Sequence, residues 1–184
     1  MKRCDWVYDD IHIKYHDTEW GVPLHNDRKL FEFLVLDSMQ SGLSWKIILN
    51  KRKSFKMAFD NFDPKKISNY SEDDIERLLA DRGIIRNRRK IESAINNAER
   101  FLETKKEFKT FDFYIWSFVD YKTKKNCFKQ WSDIPAVTQE SETMSKDMKQ
   151  RGFSFVGPTV CYAFMQTVGM VNDHLMGCFR RNEL

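Results

Sequence analysis

Near its end the chain reads VNDHLMGC, at 171–178, with His174 and Cys178 four residues apart. On a helix that spacing sets two soft ligands on one face, which is half of a tetrahedral metal site. Four protein ligands would make such a site structural, whereas an open position would make it hydrolytic. Candidates for the other half stand far away at Cys4 and His16, and His12, one turn before His16, is a rival ligand. The Cys-x11-His interval is not a common finger spacing, so spacing leaves the second pair open. Cys161 reads as core, Cys127 as a loop thiol and His25 as surface. No His-Glu-x-x-His helix of a zinc hydrolase is present.

A second candidate site is the turn between Gly152 and Gly157, with Pro158 opening a helix and Thr159 following it. Backbone N–H groups at such a helix start can grip a phosphate without reading sequence, and Lys149 and Arg151 stand just upstream. An ordinary αα-corner would use the same Gly stop and Pro start.

These groups must be positioned by helices. Gly and Pro number seven and four, and sustained period-2 alternation is absent. The segment NRRKIESAINNAERFLETKK lines up Ile91, Ala94, Ile95, Ala98, Phe101 and Leu102 on one stripe. SEDDIERLLADRG offers Ser71 as N-cap with Asp74 at N3, and Gly83 as its C′ stop. NDRKLFEFLVLDSMQ predicts a largely buried helix, broken at Ser41–Gly42 before SWKIILNKRKSFKMAF. Pro64 suits a first-turn position, and TFDFYIWSFV has helical spacing. The stretch 121–139 predicts a long loop. An apolar helix must follow Pro158, with Val160, Cys161, Ala163, Phe164, Met165 and Val168. The expectation is one all-α domain over 1–184, with two helical lobes around a shared core and a helical hairpin at about 144–170.

Composition bounds the setting. The 184 residues are 41% apolar and 14% aromatic, enough to bury a core. No apolar run reaches the roughly 18 residues that span a bilayer. The opening MKRCDWVYDD has no apolar segment of a signal peptide, so the expected setting is a reducing cytoplasm without a disulfide framework. With 31 basic against 27 acidic residues, a net charge of +4 is compatible with a polyanion partner but does not establish one. Nothing suggests more than a monomer.

The hairpin FSFVG followed by VNDH resembles the helix-hairpin-helix DNA glycosylases. Aligned that way, the slot of their usual catalytic Asp holds Asn172, with Asp173 displaced by one. The nucleophilic Lys of lyase-type members is missing, since GPTV has Pro158 and Thr159 there. RCDWV, YHDTEWGVP, LDSMQSGLSW, RGIIRNRRKI, WSFV and KQRGFSFVGPTVCYAFMQTVGMVNDHLMGC, in that order, resemble the 3-methyladenine DNA glycosylase I family over nearly the whole chain.

That resemblance implies a monofunctional enzyme that flips 3-methyladenine from alkylated duplex DNA and releases the free base. It implies one structural Zn2+ on Cys4, His16, His174 and Cys178, joining the two ends of the chain. It implies a base pocket of Tyr15 and Trp45, lined by Trp6 and Trp20, with its carboxylate at Asp37 as the catalytic group. Gln40 and Leu43, in QSGLS, would plug and wedge the duplex. Gly152, Gly157 and Thr159 would meet the DNA backbone. The family commonly has Glu where Asp37 stands, and the shorter side chain retracts its oxygens by roughly 1.5 Å.

Each residue also has a plainer reading. A lone Trp is more often core, Asp37 could sit on the surface at a helix end, and Glu19 is an alternative carboxylate. QSGLS could be an exposed loop, and Arg86, Arg88, Arg89 and Lys90 could touch phosphate or only be solvated. The competing function is a non-catalytic helix-hairpin-helix DNA-binding protein, in which Asp37 marks lost activity.

Overall fold

Capping groups set most helix boundaries in the computed structural model, which describes residues 1–184. Helix α1 (Asp10–Thr18) opens where the Asp9 carboxylate accepts from the His12 backbone N–H at 3.0 Å. Helix α2 (Asp27–Gln40) opens on Asn26 in the same way. Helix α3 (Trp45–Ala58) follows after Ser44. Helix α4 (Pro64–Ile67) has its proline at the first turn, and α5 (Glu72–Ala80) forms the Ser71–Asp74 capping box expected from sequence.

The α5 stop differs from expectation. The helix ends at Ala80, with Asp81 extended, and the Asp81 carboxylate then accepts from the Gly83 N–H at 2.7 Å. Gly83 is needed for approach rather than for a left-handed stop, because a Cβ there would lie 2.8 Å from the Ser54 Cβ.

Helix α6 (Arg88–Phe108) buries Ile91, Ala94, Ala98 and Phe101 along its stripe. Helix α7 (Phe111–Trp116) runs on into a 3-10 turn at Ser117–Val119. Helices α8 (Gln139–Gln150) and α9 (Pro158–Thr167) make the late hairpin, which begins about five residues earlier than expected. Within α9, Cys161, Phe164 and Met165 are buried while Val160 and Ala163 are only half-buried, so one flank of the helix is left free.

Helix α2 is the centre of the fold, packed by α3, α6, α7 and α9. It buries nine residues between Leu30 and Met39. Each large apolar side chain so placed contributes roughly 1.5–3 kcal/mol. One continuous apolar cluster runs from Cys4 to Cys178, so any two lobes share it.

Residues 121–138 are mostly loop, as read from sequence, but they are pinned. Strand β1 (Lys124–Lys125) pairs in parallel with β2 (Val171–Asn172), two residues each and too short to alternate visibly. No helix is long and apolar enough to cross a membrane.

Candidate functional site

Between α1, α2 and α9 lies a cavity of about 280 Å³. Tyr15 reaches it from α1, Asp37 and Gln40 from α2, and Trp45 from the first turn of α3. Trp6 and Trp20 flank α1 and add two indoles. Their ring centroids lie 5.2 Å apart, edge to face, and Tyr15 and Trp45 lie 5.5 Å apart. The Tyr15 hydroxyl donates to Thr167 Oγ1 at 3.1 Å, which fixes the ring. Burial pushes that phenol well up, with Asp37 adding to the effect. Every aromatic residue expected in a pocket is therefore in one wall.

Asp37 is not a surface residue at a helix end: it is 2% exposed and the only carboxylate that lines the cavity. Its Oδ2 is buried with no hydrogen-bond partner, and so are the indole nitrogens of Trp6 and Trp45. Burial alone pushes the Asp37 carboxyl well up, since no cation or donor faces it. Orphaned buried polar atoms are scarce in folded proteins, and three of the seven in this chain belong to residues that line this cavity. Glu19, the alternative carboxylate, is instead neutralised by Arg52 at 2.6 Å, and Arg52 also meets Glu32 at 2.7 Å.

Sequence reasoning missed part of the wall. His12 and Tyr8 line it, as do Gln166 and Thr167 from α9 and Trp131 from the 3-10 turn at Trp131–Asp133. The Trp131 ring lies 6.2 Å from Trp6 and 6.4 Å from Trp20. His12 stands three residues before Tyr15, so the helical period could have placed both on one face. Nothing in the 121–139 stretch singled out Trp131.

Behind Trp6 and Trp20, the side chains of Cys4, His16, His174 and Cys178 converge, all buried, with donor atoms within 4.8 Å of one another. Cys178 Sγ lies 3.3 Å from His16 Nε2 and 3.5 Å from His174 Nδ1, and Cys4 Sγ lies 3.7 Å from His174 Nδ1. His16 gives its Nδ1–H to Asp17 at 2.7 Å, and Arg3 grips the same carboxylate. His174 gives its Nε2–H to the Trp20 carbonyl at 3.0 Å. Both rings thus turn a lone pair toward the two sulfurs. Burial lowers His174 to about 4 and raises Cys4 to about 12. His12, the rival ligand, lies outside this group and bonds Asp9 instead.

The loop at 41–44 projects beside the cavity with Ser41 and Gly42 exposed and Leu43 half-buried. Gly42 has φ +78, which favours glycine at this bend. Lys90 corrects an expectation here. Its ammonium is buried and donates to the carbonyls of Met39 at 2.8 Å and Ser41 at 2.6 Å, so it staples the end of α2 rather than facing a phosphate. Arg88 is likewise occupied by Glu72 and Glu76, while Arg86 and Arg89 remain exposed.

In the late hairpin, Gly152 has φ +85, and Asn97 clamps the turn through Ser154, accepting from its N–H at 2.8 Å. Thr159 is exposed and Gly157 half-buried, whereas Arg151 is tied to Asp147 and Glu107. Asn172 and Asp173 are both buried away from the cavity. Asp173 accepts from Tyr162 at 2.6 Å, Gln166 at 2.8 Å and Asn126 at 2.7 Å, so it is fully engaged.

Comparison with known proteins places this geometry. A family model described as methyladenine glycosylase matches residues 6–181. The chain is 46% identical over 179 residues to DNA-3-methyladenine glycosylase 1 of Escherichia coli (strain K12), covering 97% of this chain and 96% of that protein. It is 45% identical to the DNA-3-methyladenine glycosylase of Haemophilus influenzae, covering 96% of both. The 3-methyladenine DNA glycosylase I of Staphylococcus aureus, solved for the structural basis of its 3-methyladenine recognition, superposes with a TM-score of 0.94. That match has 34% identity over 98% of this chain and 97% of that one.

Proposed function

This chain belongs to the methyladenine glycosylase family, and from that membership we infer that it hydrolyses the N-glycosidic bond of 3-methyladenine in alkylated DNA. The lesion is a cation within its base, so the glycosidic bond is weakened beforehand and no strong general acid is required. When the bond breaks, its electron pair goes to the base, which leaves neutral. The sugar takes on oxocarbenium character and is captured by water. The positive charge moves only from the base to the adjoining sugar carbon. A carboxylate beside the base therefore stays near it throughout.

The observation that carries this reading is the unpartnered Asp37 oxygen inside a wall of aromatic rings. Burial without a counterion raises the Asp37 carboxyl well above its usual range, so the charged form lacks a partner in the free protein. A cationic base supplies the missing countercharge, and neutral adenine does not, so selection follows from the electrostatics. The faces of Tyr15 and Trp45 add roughly 0.5–2 kcal/mol each toward a cation.

The DNA-facing roles follow from position. Gln40 and Leu43 would enter the gap that the flipped nucleotide leaves, and the α8–α9 pair would act as a helix-hairpin-helix grip on duplex backbone through Gly152, Gly157 and Thr159. The four-residue cluster suits one Zn2+. Tetrahedral Zn–S and Zn–N bonds of about 2.3 and 2.0 Å set S···N edges of about 3.5 Å, and three of the S···N spacings lie near this, at 3.3, 3.5 and 3.7 Å. With all four positions filled by protein, the ion's role would be to cross-link residue 4 to residue 178.

Chromatography of the bases released from methylated duplex DNA tests the reaction. Release of 3-methyladenine supports it, and DNA binding without base release would favour a non-catalytic binding protein.

A further inference from the structure

His12 does none of the work described so far, yet it is built into the cavity. It is 5% exposed and lines the wall between Tyr8 and Trp6, with ring centroids at 4.4 and 5.8 Å. Its Nδ1 lies 2.7 Å from Asp9 Oδ1. The other Asp9 oxygen meets the Lys46 ammonium at 2.6 Å. Lys46 and the His12 backbone N–H hold the Asp9 carboxyl well below its usual range, so that oxygen can only accept. In the neutral ring the proton must then sit on Nδ1, which leaves the lone pair on Nε2. No protein group bonds Nε2.

An imidazole held in that form offers Nε2 as a hydrogen-bond acceptor on a ring that lines the cavity. Adenine and guanine differ most plainly at position 6. Adenine carries the N6 amino donor where guanine carries the O6 acceptor. We propose that His12, oriented by Asp9, reads this difference: Nε2 accepts from the N6 amino group of 3-methyladenine and repels the O6 of 3-methylguanine. Asp37 selects for charge, and His12 selects for purine identity. His12 is the contact residue, and Asp9 is a positioning residue that acts through it. The proposal rests on reading the cavity as the pocket for the flipped base.

Two measurements test it. In ¹⁵N-labelled protein, the His12 ring nitrogens should show the Nδ1–H tautomer, and added 3-methyladenine should shift Nε2 while leaving exposed His25 unmoved. Release of 3-methyladenine and 3-methylguanine from methylated duplex DNA is then compared across variants. His12→Phe should lower kcat/KM for 3-methyladenine about tenfold, the loss expected for one buried hydrogen bond. It should leave 3-methylguanine unchanged or faster, so the preference collapses. His12→Gln, which keeps an acceptor, should recover part of the preference, and Asp9→Asn should give a mixed tautomer with an intermediate one.

An Nε2–H tautomer in the free protein would overturn the proposal. Equal loss on both lesions in His12→Phe and His12→Gln would also overturn it, because that is the signature of a packing role. Should the unaltered protein release neither base, the reaction reading falls, and the nitrogen shift with free 3-methyladenine still decides for or against His12.

Discussion

The aromatic cavity and the cysteine–histidine cluster share a wall, yet they treat polar atoms in opposite ways. The Trp6 ring lies 5.5 Å from His16, and the Trp20 ring lies 4.6 Å from His174. On the cluster side each imidazole N–H has an acceptor, and every lone pair faces a neighbouring ligand. On the cavity side a carboxylate oxygen and two indole N–H groups are buried with nothing to bond. A satisfied network is complete and stabilises the chain, while an unsatisfied one stores a demand that a substrate can meet. Mutation should therefore move stability on one side and activity on the other.

The largest expected effect is on the cluster. Cys178→Ser should destabilise by about 4 kcal/mol, since loss of a ligand is among the few single changes that reach that size. Denaturant unfolding would measure this, and metal analysis of chelator-free protein should give about one zinc per chain. A variant as stable as the parent would show that the cluster holds no structural ion.

Asp37→Asn should behave in the opposite sense. Excision of 3-methyladenine should fall about 100-fold, the scale for removing a preorganised charge. Stability of the free protein should rise. The sign follows from linkage: a folded pKa raised above the unfolded value costs nothing in acid, and the cost grows as pH climbs past the ordinary carboxylate range. The gain in melting temperature should therefore be absent near pH 4 and present at neutral pH. In the unaltered protein, the acid limb of kcat/KM should lie above the usual carboxylate range and vanish in the variant.

Lys90 belongs with the satisfied side although it holds the exposed loop at 41–44. Lys90→Met leaves two carbonyls without their donor and should cost about 1–3 kcal/mol. Activity on duplex should drop about tenfold, while binding of free 3-methyladenine, read by calorimetry, stays unchanged. The smallest effect is at the cavity mouth, where Trp131→Leu should weaken free-base affinity about threefold, in line with one partly exposed aromatic contact. No change would remove Trp131 from the site.

How much of this was legible depended on the range of the interaction. The Ser71–Asp74 capping box, the Pro64 and Pro158 starts and the α6 stripe are local, so the sequence displayed them directly. The pocket tryptophans and the distant Cys4 and His16 were placed by family motifs, and no local rule could pair residue 4 with residue 178. Lys90 was misread because a basic residue at a helix start looks solvated. Its partners are carbonyls about fifty residues earlier, invisible until α2 and α6 pack. Trp131 sits in the least patterned stretch and reaches the cavity through the short pairing that pins its loop. Gly83 shows a subtler failure: a helix-stop residue was in the right place for a different reason, the closeness of Ser54.

Of the five tryptophans in the chain, four stand around the cavity, and the fifth, Trp116, is stacked 4.5 Å from His25. Ultraviolet emission from this protein should therefore be dominated by the tryptophans around this cavity. A purine slipping between these rings would quench that light in proportion to occupancy, so binding can be followed in real time without any label.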